Sequence, residues 1–257
     1  MLLQRNHKRN HWVNKLKVKG IYTKPNRWLL LLLLFPLLIL SACTSGPENS
    51  KKDDATPNKE NTKSSGTAFK VVIDPGHGGK DNGATGASGR YEKNFTLSLS
   101  KKVQKLLEDE PEIEVLMTRT DDSFLSQESR YRPKYANKQN ADVFISIHGN
   151  IFSDPDVSGT ETFYYHKHSR QLAQTIQKHV VEATEFRDRG IKKEELFVVK
   201  DTEMPASLIE VGYMTNPQEE SKMWTDEFQS RVATSIVEGI KEYREQSEGQ
   251  GNLEWIS

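Results

Sequence analysis

Residues 71–86 read VVIDPGHGGKDNGATG, an apolar run that passes directly into a glycine-rich loop. A short apolar run that ends at Pro75 and Gly76 is typical of a buried strand. His77 therefore lies just beyond the end of that strand. The loop could bind phosphate, form a plain turn or hold His77 for chemistry, and the rest of the chain decides between these interpretations.

Strand-like and helical patterns alternate between about 68 and 245. The apolar or alternating runs are AFKVVID (68–74), EIEVLMTR (112–119), ADVFISIH (141–148), GTETFYYH (159–166), ELFVVK (195–200) and SLIEVGY (207–213). Three apolar helical faces follow the 3.6-residue period: Phe95, Leu99, Val103 and Leu106; Leu172, Ala173, Ile176, Val180 and Ala183; and Phe228, Val232, Ile236, Ile240 and Tyr243, with Thr225 as an N-cap. The polar stretch over residues 130–139 is also predicted to be helical. Strands interleaved with helices predict one α/β domain with a mostly parallel sheet covered on both faces.

The first 42 residues have the composition of a signal peptide. Residues 1–27 carry eight Lys and Arg and no acid, and WLLLLLLFPLLIL (28–40) follows. This apolar run is shorter than the roughly 20 residues that a membrane-spanning helix needs. It ends in LSAC (40–43), which resembles the lipobox of bacterial lipoproteins. We expect an extracytoplasmic protein lipid-anchored to the cell membrane at Cys43, with an ordinary secretory signal or an uncleaved anchor as the alternatives.

Residues 44–67 contain one alanine and no larger apolar residue. Such a segment cannot bury enough surface to fold, so residues 43–67 are predicted to be the lipidated cysteine and a disordered tether. The folded domain is predicted over 68–246, followed by a flexible tail over 247–257. Removal of the signal takes eight of the 36 basic residues and leaves 28 against 36 acids, a net charge of −8. An acidic body argues against a nucleic-acid partner.

Two histidines and two glutamates fall where a parallel sheet gathers its ligand-binding groups. His77 follows the first predicted strand, His148 ends another, Glu210 lies between apolar neighbours in SLIEVGY, and Glu92 precedes the first long helix. A carboxylate within an apolar strand is costly unless it is paired or bound to a metal. Two histidines and one carboxylate form a ligand set of catalytic zinc, and the remaining carboxylate could act as a general base.

Competing site types fail on specific residues. A P-loop would need glycine at Asp74 and Ser or Thr at Asp81, and a dinucleotide-binding fingerprint also breaks at Asp81. G-x-S-x-G and H-E-x-x-H do not occur in the chain, and Cys43 is its one cysteine. His166 and His168 are a rival ligand pair, interpreted here as solvated residues at a strand exit, and His179 is interpreted as structural.

With these residues in place, the chain resembles the zinc-dependent N-acetylmuramoyl-L-alanine amidases of the amidase type 3 family from about residue 70 to 245. The segments that carry the resemblance occur in family order. They are VVIDPGHGGKDNGATG, YEKN, ADVFISIHGN, GTETFYY, RGIKKEELFVV and MPASLIEVGYMTNP.

The resemblance implies that His77, Glu92 and His148 bind Zn²⁺ and that Glu210 is the catalytic acid/base. It implies a single α/β domain with a twisted, mostly parallel sheet of about six strands and helices on both faces. The implied substrate is peptidoglycan, cleaved between N-acetylmuramic acid and L-alanine during cell-wall remodelling. The alternatives are a catalytically silent peptidoglycan-binding lipoprotein and a different zinc hydrolase such as a sugar deacetylase. No activating protein partner can be named from the sequence.

Overall fold

The structure, a computed structural model, describes residues 68–254. The predicted signal peptide, Cys43 and the tether lie outside the described residues. The strands are β1 (Phe69–Pro75), β2 (Ile113–Met117), β3 (Val143–Asn150), β4 (Thr160–Tyr164), β5 (Asp188–Lys193) and β6 (Ala206–Tyr213). The helices are α1 (Glu92–Glu108), α2 (Tyr131–Lys138), α3 (Arg170–Thr184), α4 (Phe197–Lys200), α5 (Pro217–Met223) and α6 (Asp226–Glu254).

The six strands form one sheet in the order β2-β1-β3-β6-β4-β5. Every neighbouring pair is parallel except β4 and β6, which are antiparallel. The carboxyl ends of β1, β3 and β6 therefore lie side by side, and the amino end of β4 lies next to them. The predicted single α/β domain with a mostly parallel sheet is confirmed.

Successive side chains along each strand point to opposite faces of the sheet, and they fill a core on each face. Val71 and Ile73 face one core, which α1, α3 and α6 cover, while Val72 between them faces the other, which α2 and α4 cover. All three side chains are fully buried. Each such burial stabilises the fold by about 1.5–3 kcal/mol, which explains why the strands are almost continuously apolar.

The helical faces predicted from the sequence are buried, and Thr225 Oγ1 accepts a hydrogen bond from the Phe228 backbone N–H at the start of α6. In α1, fully buried Leu107 extends the face and Leu106 is only partly buried. The structure differs at the end of the domain, since α6 continues through Glu254 beyond the predicted boundary at 246. An Arg244–Glu248 ion pair at the i,i+4 spacing supports the helix there.

The run ELFVVK does not form a strand, and this expectation is wrong. Its residues Val198 and Val199 lie in the short helix α4 and are buried in the smaller core. The strand in this part of the chain is β5, with the sequence DRGIKK, which pairs with β4 and with no other described strand. An edge strand buries little of its surface and tolerates charged side chains, so β5 lacks an apolar pattern.

Within residues 68–254, no helix combines the length and apolar character needed to cross a bilayer.

Candidate metal centre

His77, Glu92 and His148 converge beside the carboxyl ends of β1 and β3. One ligand atom from each lies within 4.8 Å of the others. His77 Nε2 lies 3.0 Å from Glu92 Oε2, and His148 Nδ1 lies 2.9 Å from Glu92 Oε1. The two imidazole rings are nearly perpendicular, with centroids 5.0 Å apart. Among residues 68–254, no other group of three His, Cys, Asp or Glu converges in this way.

Two glycines make room for this convergence. A Cβ at Gly76 would lie 2.4 Å from His148 Cε1, and a Cβ at Gly83 would lie 2.5 Å from Glu92 Oε2. Real Cβ atoms do not approach other atoms so closely, so a side chain at either position would displace a ligand. The glycine-rich loop therefore permits close approach of the backbone to the site, and it matches neither phosphate-binding motif.

Glu92 is the first residue of α1 and is 4 % exposed. Burial opposes its ionisation, but the hydrogen bonds to His148 and His77 outweigh this and lower the pKa of Glu92. Its two oxygens also accept hydrogen bonds from the backbone N–H groups of Ala84 (2.7 Å) and Gly149 (3.1 Å). The carboxylate is thus held as an anion between the two imidazoles.

Asp81 lies directly behind His77, and the sequence interpretation used it only to reject other motifs. Its Oδ1 lies 3.0 Å from His77 Nδ1 and accepts a hydrogen bond from the Gly83 N–H. Burial lowers the pKa of His77, but the hydrogen bonds to Asp81 and Glu92 outweigh this and raise it to about 10. A carboxylate on one ring nitrogen leaves the other facing the centre, the usual arrangement behind a metal-binding histidine.

Glu210 lies in β6 directly beside His148 of β3 in the parallel register. Its Oε2 atom is buried and has no hydrogen-bond partner among the described residues. Burial, together with the negative charges of Glu92 and Glu161, raises the pKa of Glu210 well above its ordinary value. This side chain therefore has a high proton affinity next to the converging imidazoles.

Glu161 is a second acid that the sequence interpretation did not single out. It lies opposite Glu210 in the antiparallel β4–β6 pair and is 2 % exposed. Its carboxylate accepts hydrogen bonds from Tyr213 Oη (2.8 Å), Asn150 Nδ2 (2.5 Å) and Lys192 Nζ. Glu210 was identified as an acid within a predicted strand, and Glu161 in GTETFYY has the same feature.

The remaining histidines of the described residues lie elsewhere. The rings of His166 and His168 stack face to face, and His166 Nε2 contacts the Lys200 carbonyl at 2.8 Å, so these histidines are not aimed at a common point. His179 on α3 pairs with Glu242 on α6 at 2.7 Å.

The sequence profile of the Amidase_3 family, described as N-acetylmuramoyl-L-alanine amidase, matches residues 71–242. The uncharacterized protein YqiI of Bacillus subtilis (strain 168) is 40% identical over 180 residues, which cover 68% of this chain and 85% of YqiI. The probable cell wall amidase LytH of Staphylococcus aureus is 34% identical over 176 residues. That match covers 67% of this chain but only 57% of LytH.

Solved structures agree with this relationship. The catalytic domain of CwlV, an N-acetylmuramoyl-L-alanine amidase from Bacillus (Paenibacillus) polymyxa var. colistinus, superposes with a TM-score of 0.67 at 44% identity, covering 68% of this chain and 98% of CwlV. The CwlD amidase of Clostridioides difficile, solved in complex with the GerS lipoprotein, superposes with a TM-score of 0.65 at 29% identity, covering 69% and 98% of the two chains. The chain therefore belongs to the Amidase_3 family, whose members are N-acetylmuramoyl-L-alanine amidases.

Proposed function

We propose that the protein is a zinc-dependent hydrolase that cleaves the amide between N-acetylmuramic acid and L-alanine of peptidoglycan. The observation that carries the proposal is the convergence of two imidazoles and one carboxylate beside the partnerless Oε2 of Glu210. The family relationship supplies the bond that is cleaved.

The donor set fits zinc. His77, Glu92 and His148 would hold the ion through two nitrogens and one oxygen, which is a ligand set of catalytic zinc sites. When bound, zinc lowers the pKa of a water molecule toward about 7 and polarises a carbonyl group. Asp81 keeps the His77 ring in the orientation that directs Nε2 toward the centre.

Glu210 is assigned the proton transfers. Its carboxylate accepts a proton from the attacking water, whose oxygen forms a bond to the carbonyl carbon of the lactyl group. The carbon–nitrogen bond then breaks, and Glu210 returns the proton to the alanine nitrogen, which leaves as an amine. Both steps need a group that can take up and release a proton, and burial together with the neighbouring carboxylates raises the pKa of Glu210 above that of an ordinary glutamate.

The protein is further proposed to act outside the cytoplasm, anchored by lipid on Cys43. The support is the basic region, the short apolar run and the LSAC sequence that follow one another in residues 1–43. The name of LytH as a probable cell wall amidase agrees with this location.

The test is digestion of purified peptidoglycan by the full chain with zinc, followed by mass spectrometry. We expect free stem peptides with an amino-terminal alanine. The Glu210→Gln variant should lose about 10²–10⁴-fold in kcat, because general acid–base catalysis contributes that much, while it still binds zinc. Glu182→Gln, an exposed glutamate on α3, is the matched control and should keep full activity.

Other products would contradict the proposal. Release of acetate without stem peptides would identify a deacetylase. Binding of peptidoglycan without any cleavage, in the presence of zinc, would identify a silent binding protein.

A further inference from the structure

Two buried arginines lie behind the candidate metal centre. Arg119 follows β2 and is 4 % exposed, and Arg132, in the first turn of α2, is 5 % exposed. A buried guanidinium is costly unless its donors are satisfied, and it carries five N–H groups in a rigid fork. The partners of these groups therefore indicate what the arginines are for.

Arg132 forms hydrogen bonds to the chain where β1 ends. Its Nη1 donates to Asp74 Oδ1 and to the Pro75 carbonyl, each at 2.6 Å, and its Nη2 donates to the His77 carbonyl at 2.6 Å. His77 has a φ of 61°, in the left-handed region that residues other than glycine rarely adopt. Arg132 thus holds the backbone of a metal-ligand residue in a strained conformation.

Arg119 joins the same turn to the start of α1. Its Nε donates to the Pro75 carbonyl at 3.0 Å, and its Nη2 donates to the carbonyls of Gly76 at 2.7 Å and Lys93 at 3.0 Å. Lys93 directly follows Glu92, and Thr96 of the same helix also donates to the Gly76 carbonyl. Arg119 therefore fixes the position of the His77 turn relative to the helix that carries Glu92.

Asp74 supplies the opposite charge at this point. It is fully buried, and its oxygens accept hydrogen bonds from Thr118 (2.5 Å), Ser146 (2.7 Å) and Arg132. The carbonyls of three consecutive residues, 75–77, all point at the two guanidinium groups. Such a concentration of donors on one turn exceeds what neutralising a single carboxylate requires.

We propose that Arg119 and Arg132 are positioning residues of the metal centre: they set the geometry of His77 relative to Glu92 and so determine metal affinity. The inference rests on the proposed role of His77 and Glu92 as metal ligands. Neither arginine is assigned a contact with substrate. Lysine cannot replace the function fully, because its compact ammonium lacks the planar fork that binds several carbonyls at once.

The experiment measures zinc affinity of the full chain, by competition with a chelator, for the Arg119→Lys and Arg132→Lys variants. It is run well below the unfolding temperature of each metal-free protein, so that only folded protein is measured. We expect both variants to bind zinc about 10–100-fold more weakly, the usual effect of losing a group that orients a metal ligand. The absorption spectrum of the cobalt-substituted variants should also differ from that of the parent protein.

Two controls separate positioning from loss of stability. Arg130→Lys changes an exposed arginine that pairs with Asp201, and it should leave zinc affinity unchanged. Leu172→Ala opens a cavity in the core under α3 and should lower the unfolding temperature without weakening zinc binding. Folded Arg119→Lys and Arg132→Lys variants with zinc affinity within about twofold of the parent would overturn the inference. If the parent protein itself bound no zinc, the proposed function would fall instead, and this inference with it.

Discussion

His77 combines a rare backbone conformation with a raised side-chain pKa. Its φ of 61° is held by Arg132, and its pKa of about 10 reflects hydrogen bonds to Asp81 and Glu92 that outweigh burial. A positively charged imidazole between two carboxylates is a stable arrangement only while no cation occupies the centre. The same acids that stabilise the proton would orient the neutral ring toward a metal.

This pKa makes the stability of the metal-free protein depend on pH. The pKa of His77 is about 10 when folded but about 6.5 when unfolded, so the stabilisation is fully present below pH 6.5. We expect the free energy of unfolding in urea, with chelator present, to fall as the pH rises from about 6.5 to about 10. The His77→Gln variant should lack this part of the decline. An identical pH dependence in both proteins would contradict the assigned pKa.

Gly83 and Gly89 form a matched pair for testing close approach in the loop. Both have positive φ, at 66° and 83°, so alanine imposes a similar backbone cost at each position. Only at Gly83 would the new Cβ meet Glu92 and His77, whereas at Gly89 it meets no atom within 4 Å. We expect Gly83→Ala to abolish zinc binding, measured by calorimetry, and Gly89→Ala to retain it. Equal zinc affinities would show that the loop tolerates a side chain beside the ligands.

The site residues could be predicted from the sequence to the extent that they interrupt strand patterns. His77, His148 and Glu210 stand out because polar groups at strand ends and in apolar strands are unusual. Asp81 and Arg119 could not be assigned, because their roles depend on hydrogen bonds to loop atoms that no periodic pattern encodes.

At the scale of elements, the apolar pattern of the sequence predicted strands correctly where both faces of the strand are buried. β1, β3 and β6 lie in the middle of the sheet and are apolar on both faces. The edge strand β5 has one neighbour and a charged sequence, and the apolar run after it forms a helix. Short apolar runs are ambiguous between helix and strand, and here tertiary packing of Val198 and Val199 decided the outcome.

The connection between β3 and β4 bears on how the site is regulated. Only residues 151–159 join the two strands, and they contain no helix. This short connection supplies no helix that could cover the candidate metal centre. We expect the purified protein with zinc to cleave peptidoglycan without a lag and without any added protein. Activity that emerges only with a protein partner, or after proteolysis of this connection, would contradict the expectation.

For the whole molecule, the sheet separates the candidate site from the start of the domain. β1 begins at Phe69, and His77 follows the opposite, carboxyl end of the same strand. Residue 68, where the described part of the chain begins, therefore lies away from the candidate site. Anchoring and catalysis should then be separable functions.

Cys43→Ala tests that separation. We expect this variant to move from the membrane fraction to the soluble fraction on cell fractionation, because Cys43 is the one residue proposed to carry lipid. Its specific activity on purified peptidoglycan should equal that of the parent protein. Continued membrane association would indicate that the apolar run at residues 28–40 is retained as an anchor.

The most direct test of the central claim is anomalous X-ray diffraction from zinc-loaded crystals, with data above and below the zinc absorption edge. We expect a single peak bonded to His77, Glu92 and His148 at about 2.0–2.2 Å, with the Glu210 carboxylate beside it but unbound. A peak at other side chains such as His166 and His168, or no peak at all, would contradict the account.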